Sequence, residues 1–549
     1  MVQHRQRNII FSIKNQEGQR VLQHEEIEKV LVNHFKNILR EPQANRSDAI
    51  AKISREIPNV VTRDQNLALM RKITMEEVED IVRNMKRNKA PGPDGYTVEF
   101  FQAGWNFLAV EVLEVVEEAR INQRIWLGIN STLLTLIPKT NQADQAEGFR
   151  PIALCNVIYK IVASVVAQRL KLIPPSIISP EQTGFVEGRQ ILDGLVVAQE
   201  VIHTLKTKKE KGMLIKLDLS KAYDRLSWKY LERILKAFGF CDRWVNWVLS
   251  MISTPNFSIL LNGAPTTTFN ATRGLRQGDP LSPFLFIIAA EGLGRYFKKE
   301  LRERKIQGLR LWGNQTTVTH QQFVDDIMIY CKATLKEVKR IKKILEIFME
   351  GSGMEVNNEK SNTFFFNTVE PIKNHLTRVM GYRKGDLPTK YLGTMLDSST
   401  LKIGNWKNIL EKIMKRLENW TFRALNLAAR VVLLKATIQA IPIYPLSVMA
   451  APKGICNKLV EIYRKFLWGG PKQQKKWALC SWNSLIRPKE KGGLGLRDPW
   501  TLNQVLAAKL RWRWLQGGHR IAAEVASTSG GFRIDKDVSS WVDQLLTSR

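Results

Sequence analysis

A chain of 549 residues carries 83 Lys and Arg against 52 Asp and Glu, a formal charge of +31 spread along its length and not gathered in a tail. That surplus is the electrostatic footprint of a protein that meets nucleic acid, and it makes a merely soluble basic protein the weaker reading. The length calls for several subdomains around large cores. Five scattered cysteines with no CxxC pair argue against structural zinc and a disulfide framework and for a reducing compartment. No signal peptide, lipid-anchor motif or apolar run of bilayer length points to a membrane.

Residues 1–50 are polar, with a helical pattern around Glu25 to Ile38. Thr74, followed three residues on by Glu77, predicts a capping box and a helix start. That helix stops before Lys89-Ala90-Pro91-Gly92-Pro93-Asp94-Gly95, where prolines and glycines forbid regular structure. The loop is either a plain turn or a backbone lying against phosphates. Thr132 to Ile137 predicts a strand leading to Lys139, and Phe149-Arg150-Pro151-Ile152 follows after a polar loop. Lys139 and Arg150 at facing strand ends suit a triphosphate, one as a point charge and the other as a planar donor fork; singly, each reads as a surface charge. Ile158 to Leu172 reads as an amphipathic helix, and Gln182-Thr183-Gly184-Phe185 with Gly188-Arg189-Gln190 precedes another.

The chemistry concentrates in two stretches. Met213-Leu214-Ile215-Lys216-Leu217 runs into Asp218, and Phe323-Val324-Asp325-Asp326 leads into Ile327-Met328-Ile329-Tyr330. Adjacent Asp residues raise each other's pKa unless a cation lies between them. The apolar flanks predict a hairpin with the Asp pair at its tip, beside a strand ending in Asp218. Three carboxylates so placed suit two magnesium ions and in-line attack on a phosphate; a solvated turn is the plain alternative. Between the two stretches, Thr272 to Pro280 is a Gly-containing basic loop, with Asp279 as predicted N-cap and Pro280 as first residue of a buried helix to about Leu301. Such a loop can cradle a base pair or a phosphate, or be a tight turn.

A basic helix, Leu335 to Met349, follows the Asp pair, and Lys360 lies on a loop beyond it, as a general acid or as a solvated charge. Tyr391-Leu392-Gly393 reads as a short strand and turn. Trp406, Leu410, Ile413, Leu417 and Trp420 share one helical face, and a second helix is predicted from about Ala424 to Ile441. This pair suits a duplex-tracking subdomain or ordinary core packing. Trp468 to Arg513 mixes Trp, Gly, Lys and Arg, which suits base stacking as well as a small core.

In their order these pieces carry a resemblance. The Lys89–Gly95 loop, Leu136-Ile137-Pro138-Lys139, Phe149-Arg150-Pro151-Ile152, Gly184-Phe185 with Gly188 to Asp193, Asp218 to Asp224, Arg276 to Pro283, Phe323 to Asp326 and Tyr391-Leu392-Gly393 follow one another across about residues 70–400. The chain resembles the reverse transcriptases of LINE-type (non-LTR) retrotransposons, most like those of plants; Gly492-Gly493-Leu494-Gly495-Leu496 is similar to the segment beyond their thumb.

The resemblance implies an α+β right-hand polymerase with fingers, a ferredoxin-like palm and a helical thumb. It implies an N-terminal extension over 1–70, fingers over 71–215, palm over 216–400, thumb over 401–467 and a partial C-terminal segment over 468–549. It implies RNA-directed DNA polymerase activity with two Mg2+ ions, Mn2+ substituting. Asp218, Asp325, Asp326 and the backbone carbonyl of Leu219 match the metal ligands. Lys139 and Arg150 match the residues that hold the triphosphate, Tyr223 the aromatic gate against a ribose 2′-hydroxyl, Gln277 and Gly278 the loop near the templating pair, and Lys360 a proton donor to pyrophosphate. The implied partners are an RNA template, a DNA primer or nicked target DNA and deoxynucleoside triphosphates, with no membrane and the oligomeric state left open. The implied location is the nucleus, and the cytoplasm as a ribonucleoprotein.

Departures qualify the match. Gln321 and Gln322 stand where the family usually has apolar residues; one of two consecutive strand side chains faces inward, so a poorly satisfied Gln is expected. The residues before Lys89 leave no room for the endonuclease such elements often carry, no C-terminal Cys/His cluster is present and no RNase H domain is evident. The expectation is a reverse-transcriptase core, decayed or clipped. Two other readings stand beside it. One is a group II intron maturase-like reverse transcriptase, against which the Lys89–Gly95 loop and the Gly492 region weigh. The other is a catalytically inactive RNA-binding relic.

Overall fold

A computed structural model describes residues 9–140, 142–311, 317–397, 403–421, 425–469 and 477–516. Ten strands build its two larger sheets: β1 (Thr132–Pro138), β2 (Phe149–Cys155), β3 (Gly212–Asp218), β4 (Asn256–Leu261), β5 (Ala264–Pro265), β6 (Phe269–Asn270), β7 (His320–Phe323), β8 (Asp326–Lys332), β9 (Asn362–Phe366) and β10 (Arg383–Lys384). Helices α1 (His24–Ile38), α2 (Ile191–Thr207), α3 (Ser282–Arg302), α4 (Leu335–Ser352) and α5 (Pro499–Leu515) are the ones that bear on the site. The architecture is a mixed α+β fold.

One sheet runs β2-β1-β4-β5, with β6 also paired to β4; the other runs β7-β8-β3-β9-β10. The second sheet lies between two apolar cores, and strand periodicity explains how. Met213, Ile215 and Leu217 of β3, with Ile327, Ile329 and Cys331 of β8, face a core shared with α3 and α4. Their neighbours Leu214, Met328 and Tyr330 face a second core shared with α2 and the C-terminal helices. A strand whose alternate residues enter different cores is apolar at nearly every position, as the run before Asp218 is.

The C-terminal helix is tied to this body. Asp193 of α2 is fully buried; it accepts from Trp514 Nε1 at 3.1 Å and from Arg513 Nη1 at 3.2 Å on α5. Among the described residues no helix is long and apolar enough to cross a membrane.

Several expectations shift. Thr74 does accept from the Glu77 N–H, but the reciprocal half of the capping box is missing because Glu77 is held by Arg169 at 2.7 and 2.8 Å. The segment over Val157–Leu170 is buried nearly all round, not amphipathic. The helix after the basic loop starts at Ser282, two residues later than predicted; Asp279 Oδ2 is engaged by Tyr159 Oη at 2.6 Å and Arg276 at 3.1 Å, while its Oδ1 accepts from the Leu281 N–H at 2.9 Å in the turn ahead of the helix. The predicted helix from Ala424 begins at Leu427 and widens into a π-helical turn at Leu434–Ile438; Ala424 itself lies outside the described residues. Both Gln321 and Gln322 are buried, since β7 is covered on both faces. Gln321 Oε1 accepts from Tyr330 Oη at 3.1 Å and Gln322 Oε1 from Gln182 Nε2 at 3.4 Å, while the Nε2 of each lacks a partner.

Candidate active site

The Asp hairpin forms as its flanks predict. Phe323 pairs with Asp326 across a two-residue tip of Val324 and Asp325, and β8 continues antiparallel to β3 with Asp326 directly opposite Asp218. Opposed residues of an antiparallel pair lie about 5 Å apart at Cα. Like charges so placed disfavour ionisation. Burial, then Asp325 and Asp218, push the Asp326 carboxyl up to about 6. Burial and Asp218 raise Asp325, and Arg150 counters. The backbone behind them is fixed: the Asp218 N–H donates to Ser361 Oγ at 3.1 Å and the Asp218 carbonyl accepts from Asn357 N–H at 2.8 Å.

Hard oxygen donors whose mutual repulsion is unrelieved fit a divalent cation. Among the described residues no three His, Cys, Asp or Glu side chains yet converge as a closed ligand set. Asp218, Asp325 and Asp326 feel one another's charge without forming a cage, as open-ended strand termini would.

The other expected residues gather around this sheet end. Tyr223 is half-buried, its ring stacked on Phe286 at 4.6 Å between centroids and 4° between planes. Burial and the charge of Asp325 raise its phenol. Lys139 and Arg150 sit at one end of the β1–β2 pair, where Ile137 opposes Arg150. The Lys139 ammonium is lowered by partial burial and by Lys360 and Arg150, which brings these three cations into one field. Lys360 is exposed. Gln277 accepts from the Ala153 N–H on β2 at 2.8 Å through its carbonyl, and its Nε2 donates to Asp224 at 3.2 Å. Gly278 has φ +107°, and a Cβ there would lie 3.2 Å from the Ala153 carbonyl, so glycine is needed for this close approach. Leu219, one residue past β3, forms a bridge with Val356.

Three groups escaped the sequence reading. His34 on α1 accepts from the Lys221 ammonium at Nε2, 2.9 Å, and meets Glu147 at Nδ1, 3.1 Å. Burial and Lys221 push its imidazole down to about 4, so it is neutral at pH 7 with its proton on Nδ1. Lys221 is itself pushed down to about 8, chiefly by burial. Asp224 is buried, and burial raises its carboxyl to about 6 against the pull of Gln277. Only Asp224 carried a local signal, the polar end of the Asp218–Asp224 motif.

The raised Asp224 has a measurable consequence. A carboxyl raised on folding contributes its full stability below its unfolded pKa, about 3.9, and loses it as pH rises through its folded value. The wild-type thermal midpoint should therefore fall relative to Asp224→Asn between about pH 4 and pH 6.5. Parallel midpoint curves for the two proteins would contradict the burial of an ionisable Asp224.

Residues 137–396 match the family model described as reverse transcriptase (RNA-dependent DNA polymerase). Those residues form a reverse transcriptase domain. It is 27% identical over 466 residues to an uncharacterized 149 kDa protein of transposon TX1 from Xenopus laevis, covering 84% of this chain and 34% of that protein. It is 26% identical over 283 residues to the retrovirus-related Pol polyprotein of the type-2 retrotransposable element R2DM of Drosophila melanogaster, covering 50% of this chain and 25% of that one. An uncharacterized mitochondrial protein of Arabidopsis thaliana is 32% identical over 114 residues, 20% of this chain and 89% of its own. The expected kinship to non-LTR retrotransposons is borne out by the transposon and R2DM relatives. The chain spans about a third or less of the length of both. All of the expected site residues, from Lys139 to Lys360, fall within the matched segment.

Proposed function

We propose that this chain is an RNA-directed DNA polymerase of a non-LTR retrotransposon, adding deoxynucleotides to a primer 3′-hydroxyl. The observation that carries the reading is the pairing of Asp218 with Asp326, with Asp325 on the adjoining turn. Asp218, Asp325, Asp326 and the Leu219 carbonyl would hold two Mg2+ ions, or Mn2+ in their place. When bound, such ions supply Lewis-acid stabilisation of phosphoryl charge and a more acidic 3′-hydroxyl.

The chain's own groups do the rest. Lys139 and Arg150 hold the triphosphate against the mouth of the sheet. Tyr223, braced by Phe286, floors the sugar site. Gln277, tethered to Asp224, and Gly278 line the templating pair. Lys360, exposed and near Lys139, donates a proton to the departing pyrophosphate. The fold reads as a right hand, with an extension over 1–70, fingers over 71–215, a ferredoxin-like palm over 216–400, a helical thumb over 401–467 and a C-terminal segment beyond. Its partners are an RNA template, a primer or nicked target DNA and deoxynucleoside triphosphates. It works in the nucleus and travels through the cytoplasm as a ribonucleoprotein.

Primer extension on a defined RNA template with Mg2+ tests this directly. Template-length DNA is expected. Tight template–primer binding with no extension on either RNA or DNA would replace the polymerase with an inactive RNA-binding relic.

The charge of +31 predicts the binding behaviour. Each neutralised phosphate releases counterions, so a protein with six or more phosphate contacts loses about a thousandfold or more in affinity between about 50 and 200 mM salt. Fluorescence anisotropy across that range is the measurement, and a nearly flat constant would rule out an electrostatic template channel.

A further inference from the structure

The carboxylate hairpin adopts a conformation that its own sequence resists. Val324 has φ +59°, in the left-handed region that β-branched residues rarely enter. Two-residue hairpin tips of this kind ordinarily use glycine or asparagine. Something outside the hairpin holds the turn.

That something is Gln182. Its side chain is buried, with 1% of the residue exposed. Its Oε1 accepts from the Val324 N–H at 3.0 Å and from the Gly184 N–H at 2.9 Å. Its Nε2 donates to Gln322 Oε1 at 3.4 Å. The backbones are laced together on either side: Thr183 N–H donates to the Gln322 carbonyl at 3.0 Å and Gln322 N–H to the Glu181 carbonyl at 2.9 Å. Gln182 thus runs parallel to Gln322 as a short outer partner of β7. Gly184 completes the fit, since a Cβ there would lie 2.6 Å from Val324 Cγ2.

We infer that Gln182 is a positioning residue for the polymerase reaction: its carboxamide oxygen clamps the Val324 turn and so aims Asp325 and Asp326 at Asp218. The inference rests on those carboxylates being the metal-binding set. A buried N–H left without its acceptor would let the turn relax to an unstrained conformation, and the tip carboxylate would swing with it. Gln182 touches neither substrate nor metal, so it acts only through the hairpin.

Gln182→Met keeps length and volume but removes the acceptor; Gln182→Glu keeps it. Two readouts separate the clamp from the site it serves. Hydrogen exchange of the peptide over 320–330, measured without metal, should speed up in Q182M and return towards wild type in Q182E. Calorimetric Mg2+ affinity of the full chain should fall about tenfold in Q182M, the scale of a group that orients a ligand, and recover in Q182M/V324G, where glycine accepts the turn unaided. Should Q182M fail to fold, Gly184→Ala crowds the same turn and should raise exchange and weaken Mg2+ in the same direction. Unchanged exchange overturns the clamp. Faster exchange with unchanged Mg2+ affinity overturns the positioning role. Faster exchange in a chain whose wild type binds no Mg2+ overturns the carboxylate assignment, and the positioning role falls with it.

Discussion

Asp325→Asn is expected to slow primer extension about a thousandfold while the fold and the affinity for template–primer stay as they are. The asparagine keeps the size of the side chain at the accessible hairpin tip but lacks the charge. Charge stabilisation by a divalent ion contributes several kcal/mol to the transition state, and each 1.36 kcal/mol is about tenfold in rate. The backbone cost is small, because nothing in the hairpin register depends on that carboxylate. Metal-free stability should hold or improve, since the substitution relieves Asp326 of its nearest like charge. Single-turnover extension, circular dichroism and anisotropy on the same preparation make the check. Extension within about tenfold of wild type would remove Asp325 from the metal site.

Tyr223→Ala is expected to raise ribonucleotide incorporation relative to deoxynucleotide by about ten- to a hundredfold. Forcing an extra group into a filled site costs about 1–3 kcal/mol, which is that range in selectivity. The ring lies flat on Phe286 at 4.6 Å and cannot swing aside without breaking the stack. Tyr223→Phe keeps the ring and the stack, so it should keep the discrimination. Competing ribo- and deoxynucleotide incorporation by the three proteins is the measurement. A Tyr223→Ala protein that loses activity with an unchanged ratio would make the ring a packing element only.

The hairpin at Phe323–Asp326 and the strand ending in Asp218 were legible because both are local. Apolar alternation and an abrupt pair of acids are written within ten residues. The ordered motifs also carried the family, which residues 137–396 bear out. Helix boundaries were legible only where nothing distant competed. Asp279 is a good capping residue by type, yet the distant Tyr159 and Arg276 hold one of its oxygens, the other accepts from the Leu281 N–H, and the helix starts only at Ser282. Val157–Leu170 has a helical pattern, but no pattern tells that neighbours cover nearly every face.

The amino-acid sequence by itself determined the charge, the strand-end carboxylates and the family, because each is a property of short segments or of composition. Only the tertiary structure decided what holds those carboxylates and what surrounds them. The Gln182 oxygen meets Val324 across 142 positions and the Lys221 ammonium meets His34 across 187. Gln321 and Gln322 are both buried because β7 has a partner on each face. Hydrogen bonds and burial depend on which surfaces meet when two cores close over one sheet, and no local pattern encodes that meeting.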